Sequence, residues 1–143
     1  MKAINNYIVE KLKVNKNKFK DGSECTLFPE TKSKLIQMVK DEIYKNGNEC
    51  SLNHIDVSKI KDMSWIFGKH DYLAFGLEEF NGDISSWKVG NKPVDMSYMF
   101  SDSLFKQNIS NWKLKDSCIV NNMFKGCDIK EEYKPFINDK RVS

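Results

Sequence analysis

The chain has no glycine-rich phosphate loop, no C-x-x-C pair and no H-E-x-x-H, and nothing in it approaches the ~18 consecutive apolar residues of a membrane helix. Only 3 of its 143 residues are proline and 7 are glycine. No charge dominates either: 23 Lys and Arg face 20 Asp and Glu, a net of +3, so the total creates no demand for nucleic acid or an anionic membrane. The four cysteines, Cys25, Cys50, Cys118 and Cys127, stand far apart, and neither His54 nor His70 lies at zinc-ligand spacing from them. No metal, cofactor or disulfide framework is expected, and the thiols read as small apolar packing groups. No nucleophile with its base and no carboxylate pair is visible, so catalysis is not expected. Charged and polar residues interrupt the apolar positions of Met1 to Lys20, unlike a secretory signal, which predicts a cytoplasmic location without membrane contact.

What is present is a composition that folds: 40% hydrophobic, 12% aromatic and 30% charged residues. The length suits one compact domain, divided into an N-terminal segment with a capping helix (1–50), three repeats (51–129) and a C-terminal cap and tail (130–143). The repeat is direct. Phe80-Asn81-Gly82-Asp83-Ile84-Ser85-Ser86-Trp87-Lys88-Val89 recurs 25 residues later as Phe105-Lys106-Gln107-Asn108-Ile109-Ser110-Asn111-Trp112-Lys113-Leu114. Each copy is followed by a second segment, Asp95 to Phe100 or Ile119 to Phe124, and an earlier copy reads Leu52 to Val57 and then Asp62 to Phe67.

The first segments share an L-x-x-L-x-L spacing, which predicts one short parallel strand per copy. In the second segments Met63, Ile66 and Phe67, like Met96, Met99 and Phe100, have helical spacing and predict a short helix capped by Asp62 or Asp95. The fold class expected is therefore α/β: a leucine-rich-repeat-like parallel solenoid of three repeats with a helical N-terminal cap. Trp87 should stack on Trp112 and Ile55, and Phe67, Phe100 and Phe124 should form a second ladder. Thr31 before Lys32–Asn46, with Leu35, Met38, Val39 and Ile43 on one face and Gly47 as the stop, predicts the capping helix; a partner-binding helix is the alternative. Ile129, Tyr133, Phe136 and Ile137 should cover the other end, with Val142 and Ser143 frayed.

Asp62-Met63-Ser64-Trp65-Ile66-Phe67, the run Phe80 to Trp87, and Asp95-Met96-Ser97-Tyr98-Met99-Phe100 together resemble the BspA-like bacterial surface-protein repeat, a divergent leucine-rich repeat. Pro29-Glu30-Thr31-Lys32 and Asn48 to Asn53 resemble the segment that precedes such repeats in proteins of gut bacteria and their phages. The resemblance implies a protein that binds other proteins; long surface-exposed members are regarded as adhesion or interaction proteins.

The function expected is a non-catalytic protein–protein interaction module, in its narrower form a phage- or mobile-element-encoded protein that inhibits a host enzyme in the host cytoplasm. Strand alternation turns two rows outward, His54, Ser86 and Asn111, then Asp56, Lys88 and Lys113. The variable column Trp65, Tyr98 and Asn122 is a second candidate surface, unless Trp65 packs against the Gly68 to Glu79 connection. The alternatives are a surface adhesin or a nucleic-acid-binding accessory. The latter would use residues 1–20, where six lysines against one glutamate give +5 and leave −2 for the remainder.

Overall fold

The computed structural model describes residues 25–70, 76–89 and 92–143. Helix α1 spans Lys32–Asn46, the range that the periodicity predicts. It starts where the Thr31 hydroxyl accepts the Lys34 N–H at 3.2 Å, which satisfies one of the amides left open in a first helical turn. It stops at Gly47, whose φ of 87° lies in the region that glycine enters without a steric cost. Leu35, Ile36 and Val39 are buried, while Met38 and Ile43 pack partly against the core.

Beyond α1 the regular structure among the described residues is small. Strand β1 (Lys113–Leu114) pairs in parallel with β2 (Phe136–Ile137), which pairs antiparallel with β3 (Lys140–Arg141), giving an open mixed sheet in the order β1-β2-β3. A 3₁₀ turn, Glu131–Tyr133, precedes β2.

This overturns the expected α/β leucine-rich-repeat-like parallel solenoid: among the described residues one helix and a three-stranded mixed sheet are what forms. Local hydrogen bonding explains the difference. In each first segment the second apolar residue donates its N–H to the first: Ile55 to Leu52 at 3.0 Å, Trp87 to Ile84 at 3.1 Å and Trp112 to Ile109 at 3.0 Å. The three-residue spacing is thus that of a turn which carries both side chains inward. Asp83 Oδ1 holds the Ser85 N–H at 2.9 Å, and Asn108 Oδ1 holds the Ser110 N–H at 3.0 Å, side-chain bonds that compete with an extended backbone.

The expected short helices are absent for a related reason. Asp62 Oδ1 accepts from the N–H and hydroxyl of Ser64, and Asp95 Oδ1 does the same for Ser97, so these carboxylates close turns instead of capping helices. Three residues after Asp62, Asp95 and Ile119, Trp65, Tyr98 and Asn122 adopt left-handed φ values of 64°, 56° and 54°, which no right-handed helix accommodates. The turns lie side by side, bridged in parallel at Asp62, Asp95 and Ile119.

The core is aliphatic with an aromatic stack running through it. Phe67 stacks on Phe100 at 5.6 Å between ring centroids, and Phe100 on Phe124 at 5.4 Å, all three buried. Phe80 and Phe105 stack beside Phe67 and Phe100 at 4.9 and 4.4 Å. Trp87 and Trp112 do not stack on each other as expected; they tilt against Phe67 and Phe100. Their indole N–H groups reach the backbone of the preceding copy, Trp87 to the Leu52 carbonyl at 2.8 Å and Trp112 to the Ile84 carbonyl at 3.2 Å.

The C-terminus corrects one more expectation. Val142 is not frayed but buried, with its N–H on the Pro135 carbonyl at 3.0 Å. Asn138 and Asp139 both have left-handed φ, 52° and 60°, the two-residue geometry that suits the twist of a β-hairpin. They fold β3 back on β2 and deliver Val142 to the core. The Lys134 ammonium lies 5.5 Å from the Phe124 ring centre, over the last ring of the stack, and binds Glu131 at 2.6 Å.

Candidate interaction surface

The two rows expected to point outward are treated unequally by the turns that carry them. Lys88, Asn111 and Lys113 are exposed, whereas His54, Asp56 and Ser86 are half-buried. The half-buried members serve the fold. His54 Nε2 makes a close side-chain hydrogen-bond contact with Glu42 Oε1 and so ties the first repeat to α1. Asp56 accepts the Ser58 N–H at 2.9 Å, and Ser86 donates its N–H to Asn53 Oδ1 at 2.9 Å. Asn111 is exposed yet also engaged, its amide donating to the Ser85 carbonyl at 2.8 Å. Lys88 and Lys113 are exposed cations, Lys113 on β1 with Phe136 as its cross-strand partner.

The column Trp65, Tyr98 and Asn122 forms one continuous feature. The Trp65 and Tyr98 rings are half-buried and stacked at 4.4 Å with 2° between their planes. Asn122 donates its side-chain amide to the Tyr98 hydroxyl at 2.9 Å. His70, from the connection after Gly68, meets Trp65 edge-on at 4.6 Å, so this side of Trp65 does pack against that connection. All three members of the column share the left-handed backbone, which is uncommon for bulky side chains.

Gly68 is what lets Trp65 and Tyr98 approach, since a Cβ there would stand 2.6 Å from the Tyr98 carbonyl oxygen and 3.1 Å from the Trp65 ring. The sequence reading missed two structural residues. Gly82 passes so near the Cys50 carbonyl that a Cβ would overlap it, and Asn81 accepts the Lys106 N–H at 2.8 Å. The recurrent D-x-S and N-x-S spacing was the available signal for the turns.

All four cysteines are free thiols. Burial, reinforced by Asp56, pushes the Cys25 thiol up to about 11, against the opposing pull of Lys88. Burial and then Glu42 push Cys50 up as well. Both stay protonated at neutral pH, the unreactive form. The Asp62 carboxyl moves the other way: burial would raise it, but the Ser64 hydroxyl and N–H, with Lys32, hold it below the usual carboxylate range. Lys32 Nζ reaches Ser64 Oγ at 3.1 Å and Asp62 at 3.4 Å, joining α1 to the first of the aligned turns.

Among the described residues no three His, Cys, Asp or Glu side chains converge to hold a metal ion, and no helix is long and apolar enough to cross a membrane. The lysine-rich segment 1–20 lies outside the described residues. A family model described as "Mycoplasma protein of unknown function, DUF285" matches residues 33–134, from the start of α1 to the lysine over Phe124. No curated protein and no solved structure match the chain.

Proposed function

The chain belongs to the DUF285 family, which is related to BspA-like repeat proteins, and from that premise we propose that it is a non-catalytic protein–protein interaction module with BspA-like repeats. The observation that carries the reading is the Trp65–Tyr98 pair, two parallel, stacked and half-exposed aromatic rings on a backbone conformation that bulky residues seldom take. Large, rigid aromatic side chains are over-represented among the residues that anchor protein interfaces. Lys88 and Lys113 form the second candidate contact, through exposed cations on adjacent repeats. In its narrower form the bound protein is a host enzyme that the module inhibits by occupying its surface, with the module encoded by a phage or mobile element.

The test is quantitative affinity capture from the source cell with four baits: wild type, the Trp65→Ala/Tyr98→Ala double variant, the Lys88→Glu/Lys113→Glu double variant, and a Tyr44→Ala control on the exposed outer face of α1. A specific partner should be lost with one double variant and retained by the control while the melting temperature of the charge variant stays at the wild-type value. Equal capture by all four baits would place binding elsewhere. The second reading, nucleic-acid binding by residues 1–20, rests on their charge of +5. It predicts an affinity that falls steeply with salt, because phosphate contacts release counterions, whereas an interface with an apolar centre weakens less.

A further inference from the structure

The three aligned turns bond to one another mostly in one direction, the return bonds being those from the Asp95 N–H to the Lys61 carbonyl at 2.9 Å and from the Ile119 N–H to the Val94 carbonyl at 3.0 Å. In the first, the N–H groups of Met63, Trp65, Phe67 and Lys69 donate to the carbonyls of Asp95, Ser97, Met99 and Ser101 in the second, at 2.7 to 3.2 Å. In the second, the N–H groups of Met96, Tyr98, Phe100 and Asp102 donate to the carbonyls of Ile119, Asn121, Met123 and Lys125 in the third, at 2.7 to 3.0 Å. The corresponding N–H groups of the third turn belong to Val120, Asn122, Phe124 and Gly126, and among the described residues they have no acceptor.

The carbonyls of Val120, Asn122 and Phe124 are already taken inside the turn, by the N–H groups of Met123, Lys125 and Cys127. At these positions the edge therefore offers four donors, with three of its carbonyls engaged inside the turn. It is open to solvent in part: Ile119 is 47% exposed, and Asn121, Asn122, Lys125 and Gly126 are exposed, whereas Val120 is half-buried and Phe124 is buried.

We infer that this edge docks a turn-forming segment of a partner protein that presents four backbone carbonyls at two-residue spacing, in the way that the second turn accepts from the first. The inference rests on the reading of the chain as a protein-binding module and names the place and chemistry of the contact. Main-chain bonds of this kind supply affinity whatever the partner's side chains, while neighbouring side chains supply selectivity. Here Ile119 beside the edge favours an apolar neighbour. The first turn of a second copy is a poor occupant, because Lys32 of its own α1 already binds Asp62 and Ser64 there.

The probe is a synthetic peptide of residues 94–102, whose Asp95, Ser97, Met99 and Ser101 carbonyls accept such bonds within the chain. In the free full-length protein, amide exchange followed by NMR should be at least about tenfold faster at Val120, Asn122, Phe124 and Gly126 than at Met96, Tyr98, Phe100 and Asp102. Millimolar peptide should shift and slow those four amides. A scrambled peptide should not, and Ile119→Lys, a change at an exposed position, should weaken the response at least about fivefold.

Equal protection of the two sets of amides would show that the edge is closed, and peptide shifts confined to the Trp65–Tyr98 face would show that it does not dock; either result overturns the inference. Concentration-dependent self-association that shifts the same amides would make the occupant a second copy and overturn it as well. A peptide response at the edge together with equal capture by all four baits would instead defeat the aromatic and lysine surfaces and leave the edge standing.

Discussion

Replacing Trp87 separates two contributions that the sequence alone cannot distinguish. The ring is almost fully buried and lies 6.0 Å from Phe67, while its indole N–H meets a Leu52 carbonyl that also accepts the Ile55 N–H at 3.0 Å. In Trp87→Ala the whole ring goes and a cavity remains, which should destabilise by about 3–5 kcal/mol. In Trp87→Phe most of the apolar contact survives and the Leu52 carbonyl keeps one donor, so the loss should be nearer 1–2 kcal/mol, about one for the missing hydrogen bond and the rest for lost volume. Urea unfolding followed by the fluorescence of Trp65 and Trp112 reads both. With a slope of roughly 2 kcal/mol per molar urea, the midpoint should fall by about 1.5–2.5 M for alanine and under 1 M for phenylalanine. An alanine midpoint at the wild-type value would show that the ring is not core. A phenylalanine loss as large as that of alanine would place the stabilisation in the indole hydrogen bond instead.

Gly82→Ala should destabilise by at least the 1–3 kcal/mol usual for overpacking, because the new Cβ would lie 1.8 Å from the Cys50 carbonyl oxygen and backbone must move; an unchanged melting temperature would contradict that approach. Asn122→Ala should cost roughly 1–2 kcal/mol, from the left-handed φ and the lost bond to Tyr98, whereas Asn122→Gly should lose only the bond; equal losses would mean that the backbone there is unstrained. The raised Cys25 pKa favours the protonated thiol in the folded state, so its contribution is complete below pH 9 and disappears as the pH rises from about 9 to about 11; melting temperatures over that range should fall less steeply in Cys25→Ala. For Asp62, held below its ordinary value, the stabilisation is present at neutral pH and is lost on acidification through the usual carboxylate range and below; Asp62→Asn should flatten that part of an acid titration.

Helix α1 was legible because independent signals agree on it: a hydroxyl at the N-cap, an apolar face with helical spacing, and a glycine at the stop. The phenylalanine column was legible from the repeat, since equivalent positions of adjacent copies come together. The repeat-bearing segments were misread because i, i+3 spacing belongs equally to a turn and to part of a helix, and the three-residue step of L-x-x-L does not require an extended chain. Hydrogen bonds that Asp62, Asp83, Asp95 and Asn108 accept from serines two residues ahead decide the matter, and that pattern was present in the sequence. The same error reached the candidate site. Strand alternation turned His54, Asp56 and Ser86 outward, whereas the turns leave them half-buried with structural partners.

The left-handed positions bear on function through a comparison between copies. Holding a bulky residue at a φ near +60° costs about 1–2 kcal/mol, so Trp65 and Tyr98 together oppose folding by roughly 2–4 kcal/mol. Their mutual stacking returns about 0.5–1.5 kcal/mol beyond the area they cover. The stack alone therefore does not offset the strain, and the hydrogen bonds between turns must hold the backbone in place. Asn122 occupies the equivalent position of the third turn, and asparagine tolerates that conformation far better than an aromatic residue. The backbone geometry thus does not require an aromatic ring at this position. Trp65 and Tyr98 are accordingly the side chains for which a role outside the fold has the strongest physical case, and their substitution is the most direct probe of partner contact.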